Sequence, residues 1–186
     1  MISRIVVKAI GWRIEGKIPD NINKLVMLGV PHTSNWDFLM MMCCAWHYGL
    51  TVKWLGKESL FATPIMKFLS TFMGGIRVER NHSQQAVDSI AHIITSSKHR
   101  LCLAIAPEGS RHKKAGWRSG FFHIAKAAEV PIGLGYIDYA RQVMGVGPIL
   151  TELTDIDSAM LTMQDFYKDV IGKYPEKQSP IQIIKS

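Results

Sequence analysis

Cysteine is scarce in this chain. Its 186 residues include three, Cys43, Cys44 and Cys102, an odd number with two adjacent. That pattern excludes a disulfide framework and contains no zinc-ligand spacing. The thiols are expected as small buried apolar groups in a reducing compartment. Long hydrophobic runs are absent too. The longest, Phe38 to Trp46, has nine residues, far short of the ~20 that span a bilayer. The opening Met1-Ile-Ser-Arg-Ile-Val-Val-Lys8 is broken by Arg4 and Lys8 and makes a poor secretory signal. Acidic residues are in deficit, 15 against 22 Lys and Arg, for a net charge of +7. A basic balance suits nucleic acid, an anionic membrane surface or a phosphorylated small substrate, and does not choose among them. No repeat or low-complexity segment appears. Hydrophobic content of 47% is ample for a core, and the length predicts one domain over residues 1–186.

The chain is organised around Pro31-His32-Thr33-Ser34-Asn35-Trp36-Asp37. The apolar run Leu25 to Val30 before it reads as a buried strand, and Phe38 to Trp46 after it reads as a helix. A histidine and a carboxylate therefore sit at a strand-to-helix turn, where open α/β sheets bind ligands. On one continuous helix, residues five apart lie about 140° around the axis and share no face. The pair can meet only if His32 is in the loop and Asp37 in the first helical turn. Asp37 would then hold one ring nitrogen, leaving the other to take a proton from a hydroxyl. A second reading stands beside this one: Ser34-x-x-Asp37 is also a capping box, which needs no chemistry.

Along the rest of the chain, residues 2–14 alternate apolar and basic groups and predict a short amphipathic element, expected to pack on its own domain. A helix is expected over about 35–48 and a strand over Leu50–Leu55. Leu60 to Met73 carries three phenylalanines and one charge, Lys67. It reads either as a buried helix or as a surface facing lipid or an acyl chain. Ile76 to Arg80 alternates as a strand does. Residues 83–98 form the clearest helix, with Ala86, Val87, Ile90, Ala91, Ile93 and Ile94 on one face. Leu101 to Ala106 is a buried strand by its continuous apolarity. A helix at 119–129, strands from Val130 and from Gln142, a helix at 157–173 and an irregular tail complete the chain. Strands alternating with helices predict an α/β layered domain.

The strand at 101–106 runs into Pro107-Glu108-Gly109-Ser110-Arg111, followed by Lys113, Lys114 and Arg118. Gly109 permits a tight turn whose backbone N–H groups can point at an anion. Read alone, this is an ordinary turn and a solvated basic loop. Four blocks in order change that reading. His32 and Asp37 match H-x-x-x-x-D. Gly74, Ile76, Val78 and Arg80 match G-x-I-x-V-x-R. Pro107 to Arg111 match P-E-G-T/S-R, and Val130-Pro131-Ile132 matches V-P-I. Over about residues 25–140 the chain resembles the glycerolipid acyltransferase family, typified by the 1-acylglycerol-3-phosphate acyltransferases. It departs from the family's habits at Pro31, where Asn is frequent, at Ala106, where an aromatic is usual, and at Ser110, which keeps the hydroxyl of the commoner Thr.

The resemblance implies a mixed, largely parallel sheet flanked by helices. It implies transfer of a fatty acyl group from an acyl thioester donor, acyl-CoA or acyl carrier protein, to a lysolipid acceptor such as lysophosphatidic acid. Other lysolipids and glycerol 3-phosphate remain alternatives. His32 is expected as general base held by Asp37, with Arg80, Glu108, Gly109, Ser110 and Arg111 as substrate-binding residues. No cofactor beyond the co-substrate and no metal is expected. The acceptor's chemistry, the basic balance and segment 60–73 predict peripheral contact with an anionic membrane, at the cytoplasmic inner face. Two rivals remain. A metal-dependent hydrolase would use His32 and Asp37 as ligands, but His47, His82, His92, His99, His112 and His123 show no ligand spacing. A nucleic-acid module fits the charge but lacks basic residues interleaved with aromatics, so no nucleic acid is expected.

Overall fold

In the computed structural model, the structure describes residues 7, 9–77 and 83–184. The strands are β1 (Arg13–Glu15), β2 (Lys24–Val30), β3 (Thr51–Gly56), β4 (Gly75–Arg77), β5 (Leu101–Ile105), β6 (Ile132–Asp138) and β7 (Val143–Leu150). They form one sheet in the order β1-β7-β6-β2-β5-β3-β4. The β6–β7 pairing is antiparallel and the others are parallel. The helices are α1 (Trp36–His47), α2 (Pro64–Phe72), α3 (Ser83–Ser96), α4 (Gly120–Ala127) and α5 (Ile156–Tyr167). This is the mixed, largely parallel α/β sheet flanked by helices that the residues and the resemblance predict.

β2 is central, with Val26 opposite Leu103 of β5 on one side and Ile132 of β6 on the other. Strands buried on both faces read as continuous apolar runs rather than alternations, which is why 25–30 and 101–106 were legible. Successive side chains still part to opposite faces. Val26, Leu28 and Val30 join Ile94 of α3, Phe121 and Ala125 of α4 and Met163 of α5. On the other face, Leu25 and Met27 pack with Cys102 and Val146. There α1 lays Ala45 on Val52 and Ala104, and Met40, Cys43 and Cys44 against Trp12, Ile137 and Met144. Cys102 is thus buried in the core and Cys43 and Cys44 are partly buried against it, and burial pushes Cys102 and Cys44 up to about 12. Of the amphipathic start, Val7 and Trp12 are buried on this domain, as expected; residues 1–6 and 8 lie outside the described residues.

Two expectations are corrected. The last helix ends at Tyr167, not at 173. Beyond it Val170 is buried, the Ile171 carbonyl accepts the Tyr139 N–H at 2.8 Å, and Gly172 fits against Pro31 and Thr33. Those tertiary contacts take the chain off the helix axis after Tyr167, so packing ends the helix. The buried-helix reading of Leu60–Met73 is overturned as well. α2 contributes no buried residue, because the sheet ends at β4 and the residues that hold the helix down are polar.

Candidate active site

Asp37 occupies the first turn of α1, and His32 lies in the loop after β2. Asp37 is 4% exposed, and its Oδ2 stands 3.3 Å from His32 Nδ1, whose side chain is 25% exposed. The same Oδ2 accepts the backbone N–H groups of Thr33 and Ser34, each at 2.8 Å. Ser34 Oγ accepts from the Trp36 N–H at 3.2 Å. Only half of the capping box forms: the carboxylate accepts the Ser34 N–H, but the N-cap of α1 is Asn35, without a side-chain cap bond. The other Asp37 oxygen accepts from the Tyr139 hydroxyl at 2.9 Å. With these donors converging, Asp37 is held in place, and His32 Nδ1 lies beside its Oδ2.

Tyr139 follows β6, and its ring is held edge-on by Trp12 at 5.0 Å between centroids. Burial first, and then the Asp37 carboxylate beside it, push its hydroxyl well above the ordinary tyrosine range. It therefore remains a donor across working pH. The motifs give no sign of Tyr139, because it reaches Asp37 across 102 residues.

Glu108 comes to the site from the end of β5. Its Oε1 accepts the His32 backbone N–H at 2.8 Å, so it seats the loop that carries the histidine. The carboxyl is buried and faces Ser179. Burial pushes its pKa up, against the opposing pull of the His32 N–H and Ser179. Gly109 adopts φ +65° and donates its N–H to Ala106 at 3.0 Å, so that N–H closes the turn. Ser110 folds on itself, its hydroxyl donating to the His112 carbonyl at 3.0 Å and accepting the His112 N–H at 3.1 Å. Arg111 bonds Asn35 Oδ1, which places a guanidinium two residues from Asp37 in sequence. Arg80 and Val78 lie outside the described residues. The glycine of their block, Gly74, has φ +86°, and a Cβ there would stand 2.2 Å from the Val52 carbonyl oxygen; this physical need fixes the residue. Among the described residues, no three His, Cys, Asp or Glu side chains gather closely enough to hold a metal ion.

The tail after α5, expected only to be irregular, packs onto the site. The Tyr174 N–H donates to Thr33 Oγ1 at 3.3 Å. Ser179 Oγ accepts the Lys114 N–H at 3.0 Å, and Lys173 Nζ lies 5.3 Å from the Trp36 ring centroid. No helix among the described residues is long and apolar enough to cross a membrane.

A buried carboxylate thus stands beside a part-exposed histidine at the carboxyl end of the central strand of a mixed α/β sheet, an arrangement with the chemistry for general-base work. The family model for acyltransferases matches residues 13–133, and the chain belongs to that family, the one its four blocks resemble. It is similar to the 1-acyl-sn-glycerol-3-phosphate acyltransferases of Escherichia coli and Salmonella typhimurium, 31% identical over 105 residues, 54% of this chain and 42% of each relative. The match thus spans under half the length of those relatives. A solved structure, the 1-acyl-sn-glycerophosphate acyltransferase PlsC of Thermotoga maritima, superposes with a TM-score of 0.56 at 13% identity. That match covers 92% of this chain and 78% of the other, and at this identity it speaks to the fold alone.

Proposed function

We propose that the chain moves a fatty acyl group from an acyl thioester, acyl-CoA or acyl carrier protein, to the hydroxyl of a lysophospholipid such as lysophosphatidic acid. The observation that carries this reading is the approach of Asp37 Oδ2 to His32 Nδ1, with Asp37 buried and the ring edge open. Nε2 takes the proton of the acceptor hydroxyl as its oxygen attacks the thioester carbonyl carbon. The C=O electrons move onto oxygen. The oxyanion then collapses, the C–S bond breaks, and the departing thiolate takes the proton from Nε2, which restores the neutral histidine. The products are an ester and a thiol, with no acyl-enzyme. General-base help of this kind is worth about 10²–10⁴ in rate. Asp37 stabilises the imidazolium that forms only on the way to the transition state.

Gly109 commits its own N–H to the turn, so the Ser110 and Arg111 N–H groups are the oxyanion donors in this proposal. Arg111, and Arg80 by its motif alone, would receive an acceptor phosphate, since a guanidinium binds two oxygens at once. Peripheral contact with an anionic membrane at the cytoplasmic inner face is part of the proposal, supported by the +7 charge and by apolar side chains exposed on α2.

The test is acyl transfer by purified protein, using labelled acyl-CoA and acyl carrier protein with a panel of lysolipids and glycerol 3-phosphate. Product formed by the wild type and lost in His32→Ala is expected. Product that survives in His32→Ala would remove the histidine as base.

A further inference from the structure

α2 has its polarity inverted. A surface helix ordinarily turns its apolar stripe to the core. Here Ile65, Phe68, Leu69 and Phe72, spaced i, i+3, i+4 and i+7, form one stripe. Ile65 is 73% exposed, Phe68 69% and Phe72 80%. The Phe68 and Phe72 rings stack on each other at 6.2 Å, 15° from parallel, and face outward together. Polar bonds cap the helix and tie its ends. Thr63 Oγ1 caps the Met66 N–H at 3.2 Å, and the Ser70 hydroxyl donates to the Leu60 carbonyl at 2.8 Å. Trp54 Nε1 donates to the Met73 carbonyl at 2.9 Å.

The stripe continues towards the site. Phe61, in the turn before α2, stacks with Trp54 at 6.5 Å, and Trp54 meets Phe38 of α1 edge-on at 5.3 Å. α1 exposes Trp36, Leu39 and Trp46, again at i, i+3 and i+10, and Trp36 adjoins Asp37. Charge on this part of the chain is one-sided. From residue 51 to 77 there are Lys53, Lys57, Lys67 and Arg77 against Glu58 alone, and Glu58 is paired with Arg77.

The geometry points to α2 as the element that inserts into the headgroup layer of an anionic bilayer, with Lys57 and Lys67 on the lipid phosphates and the exposed face of α1 beside it. An exposed apolar stripe rimmed by cations is the pattern of a helix lying in the interface plane. A second copy of the chain fits less well. Nine residues of α2 make a strip of roughly 14 Å by 10 Å, and even with the twelve-residue α1 beside it the strip stays well below the ~800 Å² per partner of a stable protein interface. As the entry route for the acceptor, this surface rests on the acyl-transfer reading, because a lysolipid would then reach His32 from the bilayer rather than through water.

The experiment is flotation of the purified protein with vesicles of phosphatidylcholine alone and with about a third phosphatidylglycerol, for the wild type, Phe68→Ser/Phe72→Ser and Lys67→Glu. All three positions are exposed, so thermal unfolding is expected unchanged. The wild type is expected to float with the anionic vesicles, and the double variant to bind at least about tenfold more weakly, two phenyl rings' worth of burial. Lys67→Glu is expected to weaken binding only at low salt. Transfer to a water-soluble short-chain acceptor stays at the wild-type rate in the double variant, while transfer to vesicle-borne acceptor falls. Equal binding by wild type and double variant, no binding by either, or a wild-type dimer that the double variant dissociates would overturn the assignment. Vesicle binding that depends on Phe68 and Phe72 without acyl transfer to any acceptor would leave the surface standing and sink the activity instead.

Discussion

Asp37→Asn isolates the charge from the geometry. The amides of Thr33 and Ser34 converge on Oδ2, so asparagine must turn its carbonyl oxygen to them. Its NH₂ then falls at the Oδ1 position, facing the Tyr139 hydroxyl, which can accept as well as donate. The first turn of α1 survives, and so does the contact with Nδ1. What disappears is one unit of negative charge 3.3 Å from the ring that, in the proposed mechanism, takes up the acceptor's proton. Coulomb's law at that distance gives about 1.3 kcal/mol in a water-like dielectric and about 5 kcal/mol at an effective value of 20. At 1.36 kcal/mol per tenfold, those bounds are about tenfold and about 5,000-fold. A buried carboxylate facing a half-exposed ring sits between them, so kcat is expected to fall by about 10²–10³ with KM nearly unchanged. Steady-state transfer to lysophosphatidic acid measures both. A kcat within threefold of wild type, with thermal unfolding intact, would refute the claim that Asp37 acts through its charge.

Two further substitutions probe the surroundings of the dyad. Tyr139→Phe keeps the ring against Trp12 and removes the 2.9 Å donor to Asp37. It is expected to cost about 1–3 kcal/mol of stability and to lower kcat about tenfold without raising KM, whereas a purely structural role would leave kcat per folded molecule unchanged. Glu108→Gln keeps an oxygen for the His32 N–H and removes a buried charge. Because the folded-state pKa of Glu108 is raised, its carboxyl contributes full stability below the unfolded value of about 4.3 and loses it as pH rises through the folded value, by about 1.4 kcal/mol per unit of elevation. The variant should therefore melt higher than wild type at pH 8 and equally at pH 4. A lower melting temperature at pH 8 would show that the charged carboxyl is needed to seat the loop.

What the residues revealed in advance follows from how local each signal is. β2 and β5 announce themselves because burial on both faces demands unbroken apolar runs. His32 and Asp37 were legible because the turn and the helix start lie within a few residues of each other. Gly74 was legible as a motif, and its reason is local, a positive φ against the Val52 carbonyl. Tyr139 and Ser179 were not, since nothing near them in the chain encodes a partner more than 70 residues away. Glu108 was legible as part of its block, but its bond to the His32 backbone N–H was not, because that partner is 76 residues away. α2 was ambiguous for a further reason. Its apolar spacing is that of any amphipathic helix, and which way the stripe faces depends on where the sheet stops.

The site also depends on residues beyond the part of the chain that the family model matches. That match ends at residue 133, yet Tyr139 fixes Asp37, and Tyr139 is itself tied by its N–H to Ile171. Gly172 lies where a Cβ would stand 2.9 Å from Thr33 Oγ1, and the Tyr174 N–H bonds that same hydroxyl. Ser179 touches Glu108, which seats His32. The segment from Ile171 to Ser179 is thus a strap across the loop that carries His32. It explains how a strand-to-helix turn, ordinarily among the more mobile parts of a fold, is held to a single geometry. It also means that the four blocks suffice to assign the family but not to build the site. The blocks supply His32 and Asp37, and the strap, about which they say nothing, supplies the rigidity the pair would need for the proposed chemistry.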